Sequence, residues 1–255
     1  MRIAALQYDV AWMDRAANWR TVDRLLASAN LPRGTFALLP ELGDTGFTMD
    51  PPPASGPDPV QAASERAKRD GIWLQVGHAE CGADGMRNAA TIVAPDGSVR
   101  GTYRKIHLFS PGNEDRHYRP GESVTVIDVA SDDGTWRVAP AICYDLRFPE
   151  LYRALSPVDL LVIPSSFTAR TGAAHWEVLL RARAIENQCW VLAPAQGGVH
   201  AGGRRTWGHS MLIDPWGEIV AERTEPGEGV LVATIDRGRI NEVRAGLPAL
   251  AHRVM

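Results

Sequence analysis

Three side chains in this sequence stand where chemistry could be built: Cys143, Glu41 and Lys105. Cys143 ends an apolar run, Val138-Ala139-Pro140-Ala141-Ile142, and opens the turn Tyr144-Asp145-Leu146-Arg147-Phe148-Pro149-Glu150. A thiol at such a strand–turn–helix elbow projects from a sheet edge, and the amides that follow it can face an oxyanion. Amides at a nearby helix N-terminus would also favour the thiolate. Glu41 directly follows Leu38-Leu39-Pro40, so its carboxylate is partly desolvated, as suits a general base. Lys105 follows Gly101-Thr102-Tyr103-Arg104 at what reads as the end of an internal strand, where its charge can stabilise a thiolate and a tetrahedral oxyanion. Each residue alone has an ordinary alternative: a buried structural cysteine, a capping glutamate, a solvated strand-end lysine. Cys81 and Cys189 open no elbow and read as structural, and His107 lacks a partner signature.

Elements able to position these groups recur twice along the chain. The first pass reads as a strand at Arg2–Gln7, a helix around Asn18–Ala29, a buried strand over residues 36–40, a polar helix near Val60–Asp70, a strand at Ile72–Gly77 and a hairpin over 91–99. The second reads as a strand at Arg137–Ile142, a helix near Glu150–Ser156, a strand over 159–164, a long helix over about His175–Gln188, a strand at Trp190–Pro194 and a hairpin over 211–220. Short apolar strands bounded by Pro and Gly and alternating with helices predict an α/β protein whose strands are buried on both faces. If the repeat is more than an accidental echo, two similar sheets pack face to face with helices outside. Loops from the carboxyl ends of the strands then meet at one edge. The Pro-rich stretch 51–59 is too short for an interdomain linker, so residues 1–255 are expected to form one domain.

Bulk properties narrow the class. A net charge of −3 gives no electrostatic reason to expect nucleic acid or an anionic membrane as partner. No apolar run approaches the roughly 18 residues of a membrane span, and the N-terminus alternates like a strand rather than a signal peptide. Three widely spaced cysteines argue against a disulfide framework and against zinc, and for a reducing, cytoplasmic compartment. No metal or other cofactor is expected.

Taken together and in order, these segments resemble the nitrilase (carbon–nitrogen hydrolase) superfamily. Leu39-Pro40-Glu41 with Thr45-Gly46-Phe47 is similar to its glutamate motif, Tyr103 to Phe109 to its lysine motif, and Ala141 to Glu150 to its nucleophile motif. The likeness continues through Pro164-Ser165-Ser166-Phe167, Thr171 to Glu177, Arg181 to Asn187, Gly208-His209-Ser210 and Asp214-Pro215-Trp216-Gly217, and so covers nearly the whole chain. It implies a four-layer α-β-β-α sandwich with internal two-fold pseudosymmetry and a Glu41–Lys105–Cys143 triad. In that scheme Glu41 takes the Cys143 proton and the thiolate attacks an amide carbonyl. Lys105 and the Tyr144 amide hold the oxyanion, ammonia leaves a thioester, and water activated by Glu41 releases the acid. Many members add a second glutamate, for which Glu114 is the candidate.

The nucleophile and Thr171 segments look most like two small-acid branches, the ω-amidases and deaminated-glutathione amidases. By that likeness Arg147, Phe167 and Thr171 line the acyl pocket, and Arg147 clamps a carboxylate of the substrate. An ion pair of Arg147 with Glu150 is the structural alternative. The remaining functional alternatives are an N-carbamoyl amino acid hydrolase, a nitrilase, and a non-catalytic interaction protein. A homodimer is implied by the resemblance alone.

Overall fold

The computed structural model describes residues 1–53 and 55–254. The first pass runs β1 (Arg2–Gln7), α1 (Arg15–Ala29), β2 (Phe36–Leu38), α2 (Pro59–Asp70), β3 (Trp73–Gly82), β4 (Gly85–Val93) and β5 (Val99–Arg104). A short helix, α3 (Glu114–His117), precedes the second pass: β6 (Ile127–Ser131), β7 (Gly134–Pro140), α4 (Pro149–Leu155), β8 (Leu160–Val162), α5 (Ala169–Asn187) and β9 (Trp190–Ala193). A small hairpin, β10 (Gly197–Val199) with β11 (Arg205–Trp207), leads into β12 (Met211–Ile213) and β13 (Ile219–Glu222). The chain closes with β14 (Gly229–Thr234) and α6 (Arg237–Gly246).

The repeat is real. One sheet has the order β14-β1-β2-β3-β4-β5 and the other β6-β7-β8-β9-β12-β13. In each, three central strands run parallel, and an antiparallel hairpin extends one side. The other side of each sheet is closed by a further antiparallel strand, β14 on β1 and β6 on β7.

Strand periodicity builds the layers. Along β1, Ile3 and Ala5 join Phe36, Leu38, Val138, Leu160 and Leu192 between the two sheets. Ala4 and Leu6 point the other way, beneath Val22, Leu25 and Leu26 of α1 and Ala63 and Ala67 of α2. The second sheet repeats the arrangement, with Ala139, Leu161 and Val191 under Leu151 and Tyr152 of α4 and Trp176 and Leu180 of α5. Successive side chains on a strand face opposite ways, so uninterrupted apolar runs are what a doubly covered sheet requires. Helix ends are set locally: Asp14 caps α1 and Asp58 caps α2, which ends at left-handed Gly71.

Two expectations need correction. The strand before Lys105, β5, lies at the edge of its sheet, not inside it. The long helix starts at Ala169, six residues before the expected His175. Its early turn contains Thr171 and Gly172, poor helix formers, but a Cβ on Gly172 would lie 2.3 Å from the Trp207 side chain. Packing against the β10–β11 hairpin therefore overrides local propensity there.

The core carries a pH liability. His78 on β3 is buried against Thr91, 2.9 Å from its hydroxyl. Burial, opposed mainly by the charge of Glu80, holds the imidazole pKa down at about 4. Unfolded chains protonate this group below about 6.5, so its contribution is whole above that pH and is lost as pH falls toward 4, at most about 3 kcal/mol. Urea unfolding at pH 7.5 and pH 5 is expected to show a smaller acid loss for His78→Gln than for the native chain. Equal losses would place the sensitivity elsewhere.

Candidate active site

Carboxyl ends of strands from both sheets converge at one edge of the sandwich. Glu41 follows β2, Lys105 follows β5, Cys143 follows β7, Ser166 follows β8 and Gln196 follows β9. Gly77 on β3 makes the approach of the Glu41 segment possible, since a Cβ there would stand 2.4 Å from the Pro40 carbonyl oxygen and 3.1 Å from Glu41 Cα.

Two carboxylates share one ammonium. Lys105 Nζ donates to Glu41 Oε1 at 2.7 Å and to Glu114 Oε2 at 2.8 Å, and all three side chains are fully buried. Asn88 Nδ2 bridges the same carboxylates, donating to Glu41 Oε1 at 2.8 Å and to Glu114 Oε1 at 2.7 Å. Glu41 Oε2 accepts from the Ser166 amide at 2.9 Å, and Gln196 Nε2 donates to the Glu41 carbonyl oxygen at 2.6 Å. The Phe109 amide donates to Glu114 Oε2 at 2.7 Å. Every oxygen of this pair is thus held, which satisfies the desolvated charges and fixes their geometry. Burial alone would pull the Lys105 pKa down, but the charges of Glu41, Glu114 and Cys143 outweigh it and raise it above its ordinary value. Its ammonium is permanent near neutral pH.

Cys143 sits at the elbow with φ +46°, a left-handed conformation unusual for a residue with a side chain. Asp145 holds that turn shut. One of its oxygens accepts from the Ile142 amide at 2.9 Å and the Tyr103 hydroxyl at 2.7 Å. The other accepts from the His107 amide at 2.9 Å and lies 2.8 Å from His107 Nδ1. The lysine segment and the nucleophile segment are therefore pinned by one carboxylate. His107, stacked on Phe148 at 3.7 Å, belongs to this clamp, in keeping with its structural reading.

Helix amides do not favour the thiolate here in the way the sequence suggests. Burial, and next the negative charge of Glu41, push the Cys143 pKa well up; Lys105 and the Ser166 amide oppose the shift and do not reverse it. No long helix supplies compensating amides, because residues 143–147 form a 3-10 turn and α4 begins only at Pro149. Cys189 is also buried, which pushes its thiol up to about 12, and Cys81 is exposed.

One pocket brings the remaining candidates to the thiol. Cys143, Tyr144, Arg147, Phe167 and Thr171 line it together with Phe47, Phe109, Ser166 and Arg204, around a narrow cavity of about 20 Å3. Arg147 lies over the rings of Phe167 and Tyr144, at 5.4 and 5.9 Å, with Nη1 3.3 Å from His175 Nδ1. It forms no ion pair with Glu150 among the described residues. The Thr171 hydroxyl is 2.8 Å from that of Thr168 in the first turn of α5. Asn88, Asp145, Ser166, Gln196 and Arg204 were not singled out from sequence. Of these, Ser166 and Asp145 carried a signal, inside the Pro164 to Phe167 and Ala141 to Glu150 motifs.

Among the described residues no group of three or more His, Cys, Asp or Glu side chains could hold a metal ion, and no helix is long and apolar enough to cross a membrane.

Comparison with known proteins places this geometry. Residues 2–245 match the family described as carbon-nitrogen hydrolase. A deaminated glutathione amidase of Synechocystis sp. is 47% identical over 175 residues, 66% of this chain and 64% of that protein, so the match spans just under two thirds of the relative's length. The human deaminated glutathione amidase is 37% identical over 260 residues, 94% of this chain and 78% of that protein. A CN-hydrolase superfamily protein of Xanthomonas campestris, solved with an arsenic adduct in its active site, superposes with a TM-score of 0.89 at 31% identity, covering 100% of this chain and 97% of its own. A Saccharomyces cerevisiae member of branch 10 of the nitrilase superfamily gives a TM-score of 0.85 at 28% identity, with 100% and 97% covered. With a family match running almost from end to end and the same fold in these relatives, the chain belongs to the carbon–nitrogen hydrolase family.

Proposed function

We propose that this chain is an amidase that cleaves the carbon–nitrogen bond of a small, carboxylate-bearing amide through a thioester on Cys143. The observation that carries this reading is the buried Lys105–Glu41 pair beside a thiol held at a strained elbow. A thiol with a raised pKa is a poor nucleophile until a base takes its proton. Glu41 is the carboxylate whose charge the thiol feels, so it accepts that proton as Sγ attacks the amide carbon. The carbonyl oxygen becomes an oxyanion facing the Lys105 ammonium and the Tyr144 amide. Collapse breaks the carbon–nitrogen bond, and the amine leaves with the proton Glu41 held. Water, deprotonated by Glu41, then attacks the thioester, and the acid departs as the thiol is restored.

Glu114 acts by positioning. Its oxygens are committed to Lys105, Asn88 and the Phe109 amide. Arg147, Phe167 and Thr171 bind the acyl part, with Arg147 taking its carboxylate in a two-point contact. The sequence relatives named for deaminated glutathione favour a 2-oxo-acid acyl group.

Ammonia or amine release from 2-oxoglutaramate, deaminated glutathione, N-carbamoyl amino acids and simple nitriles tests the function directly. Hydrolysis of the first two, with none of the others, is expected; an inert response to the whole panel would leave a binding protein instead. On the acyl side, Arg147→Lys should reduce kcat/KM for a 2-oxo-acid amide by about 10- to 100-fold, the worth of a charged hydrogen bond, and barely affect a neutral amide of equal length. Equal losses on both would mean that Arg147 supports the Cys143 turn.

The reading extends to a single-domain, cytoplasmic homodimer with no nucleic acid partner. Val178, Ile185 and Trp216, each at least half exposed on or beside α5, offer an apolar face for self-association. Sedimentation at micromolar concentration should give the dimer mass.

A further inference from the structure

Base and nucleophile stand on different sheets. Glu41 follows β2 of the first, whereas Cys143, Ser166 and Gln196 follow β7, β8 and β9 of the second. A proton can pass from Sγ to Glu41 only if the two sheets are held in register at this edge. A ring of hydrogen bonds crosses the gap. Gln196 Nε2 donates to the Glu41 carbonyl oxygen at 2.6 Å, and the Ser166 hydroxyl donates to Gln196 Oε1 at 3.0 Å. The ring closes where the Ser166 amide donates to Glu41 Oε2 at 2.9 Å. Backbone and carboxylate of one glutamate are thereby tied to two adjacent strand ends. Glu41, Ser166 and Gln196 are all buried, so these bonds are made away from bulk water.

The ring has a direction. Arg204 Nη2 donates to the Ser166 hydroxyl at 2.9 Å and to the Ser166 carbonyl oxygen at 2.8 Å. A guanidinium only donates, so the hydroxyl's own hydrogen is left for Gln196 Oε1, and the Gln196 amide must turn its NH2 toward the Glu41 carbonyl. The peptide between Ser165 and Ser166 is locked from its other side as well. Its carbonyl oxygen accepts from the Gln196 backbone amide at 2.9 Å, in a bridge that pairs Ser165 with Ala195. One residue earlier, the Pro164 carbonyl oxygen accepts from the Cys143 amide at 3.1 Å. The segment 164–166 therefore touches both partners of the proton transfer. Its Ser166 N–H bonds the Glu41 carboxylate and also pulls the Cys143 pKa down, against burial and the Glu41 charge. One fixed donor thus serves the carboxylate before transfer and the thiolate after it, with little reorganisation.

We infer that Gln196 is a positioning residue for the proton transfer that creates the nucleophile: through Ser166 and the Glu41 backbone it fixes the base on one sheet against the thiol on the other. Gln196 touches neither substrate nor sulfur in this role and acts through Glu41 and the Ser166 amide. The inference rests on the amidase reading above and deepens it by naming what aligns base and nucleophile.

The test compares the native chain with Gln196→Met, which keeps the bulk and removes both side-chain links, and with Ser166→Ala, which removes the hydroxyl and keeps the amide. Two readouts are taken: kcat and KM for 2-oxoglutaramate, and the rate at which 2-iodoethanol alkylates Cys143, followed on its own peptide by mass spectrometry. Alkylation by this small uncharged reagent needs the thiolate but no acyl recognition. Gln196→Met should lower kcat by about 10- to 100-fold, as a misplaced base does, leave KM near native and slow alkylation of Cys143 in parallel. Ser166→Ala should fall in the same direction by less, and it carries the test alone if Gln196→Met does not fold. The double variant should be no slower than Gln196→Met, because the hydroxyl acts through Gln196. A loosened fold would do the opposite to the thiol, since Cys143 is buried and gains access when its surroundings open. Faster alkylation with lower kcat therefore overturns the inference, as does native kcat in Gln196→Met, a rise in KM alone, or single losses that multiply in the double variant. No hydrolysis by the native chain would instead defeat the amidase reading, and the alkylation rates would still decide whether Gln196 sets the base against the thiol.

Discussion

Cys143→Ala should reduce amide turnover to background. Removing the nucleophile of a covalent hydrolase costs on the order of 10⁶ in kcat, because no other group can take over the acyl transfer. The fold should survive, since alanine keeps the Cβ and the left-handed elbow is held by Asp145 through Ile142, Tyr103 and His107, not by the sulfur. Cys81→Ser is the matched control: Cys81 is exposed on β3, away from the pocket, and its loss should leave turnover unchanged. Circular dichroism and amine release on the two variants separate the cases. Activity persisting in Cys143→Ala above a trace would remove the thioester from the mechanism.

Lys105→Met is expected to fail twice, in catalysis and in stability. Loss of an oxyanion-stabilising group lowers kcat by roughly 10²–10³. Here the ammonium also separates two fully buried carboxylates, and its removal leaves Glu41 and Glu114 facing each other across Asn88 with no cation between them. Breaking a buried ion pair on one side costs about 3–5 kcal/mol. The two losses can be pulled apart. Adding Glu114→Gln to Lys105→Met removes one of the stranded charges and should recover a large part of the stability while leaving kcat depressed. If the double variant regains turnover along with its melting temperature, Lys105 serves the fold and not the oxyanion.

Much of the architecture could be read from the chain because both sheets are covered on both faces. Runs such as Leu160-Leu161-Val162 and Trp190-Val191-Leu192 announce buried strands, and Asp58-Pro59 and Gly71 bracket a helix. Glu41 and Cys143 were legible for a related reason, since each stands one to three positions past such a run, where a buried strand hands over to a turn, whereas Lys105 follows the largely exposed edge strand β5. What stayed hidden depends on partners distant in sequence. Strands β6 and β14 are short and half-exposed, and nothing local says that β14 will add to the N-terminal strand. Asn88 reaches the site only because Ala89 pairs with Arg104, which sets it beside Lys105. Arg204 arrives on a hairpin of three-residue strands too weak to recognise from pattern. The help to the thiolate expected from helix amides is missing because α4 begins only at Pro149, and the burial of Cys143 and the charge of Glu41 act the other way.

The central claim is that acyl transfer passes through Cys143, and it can be observed in one measurement. Mixing the native enzyme with a good amide substrate, quenching in acid within the first turnovers and digesting for mass spectrometry reports where the acyl group resides. A mass gain equal to the acyl group on the peptide containing Cys143, lost on treatment with neutral hydroxylamine, is the result predicted. Steady turnover with Cys143 unmodified throughout, or with the acyl group on Cys189 instead, would contradict it.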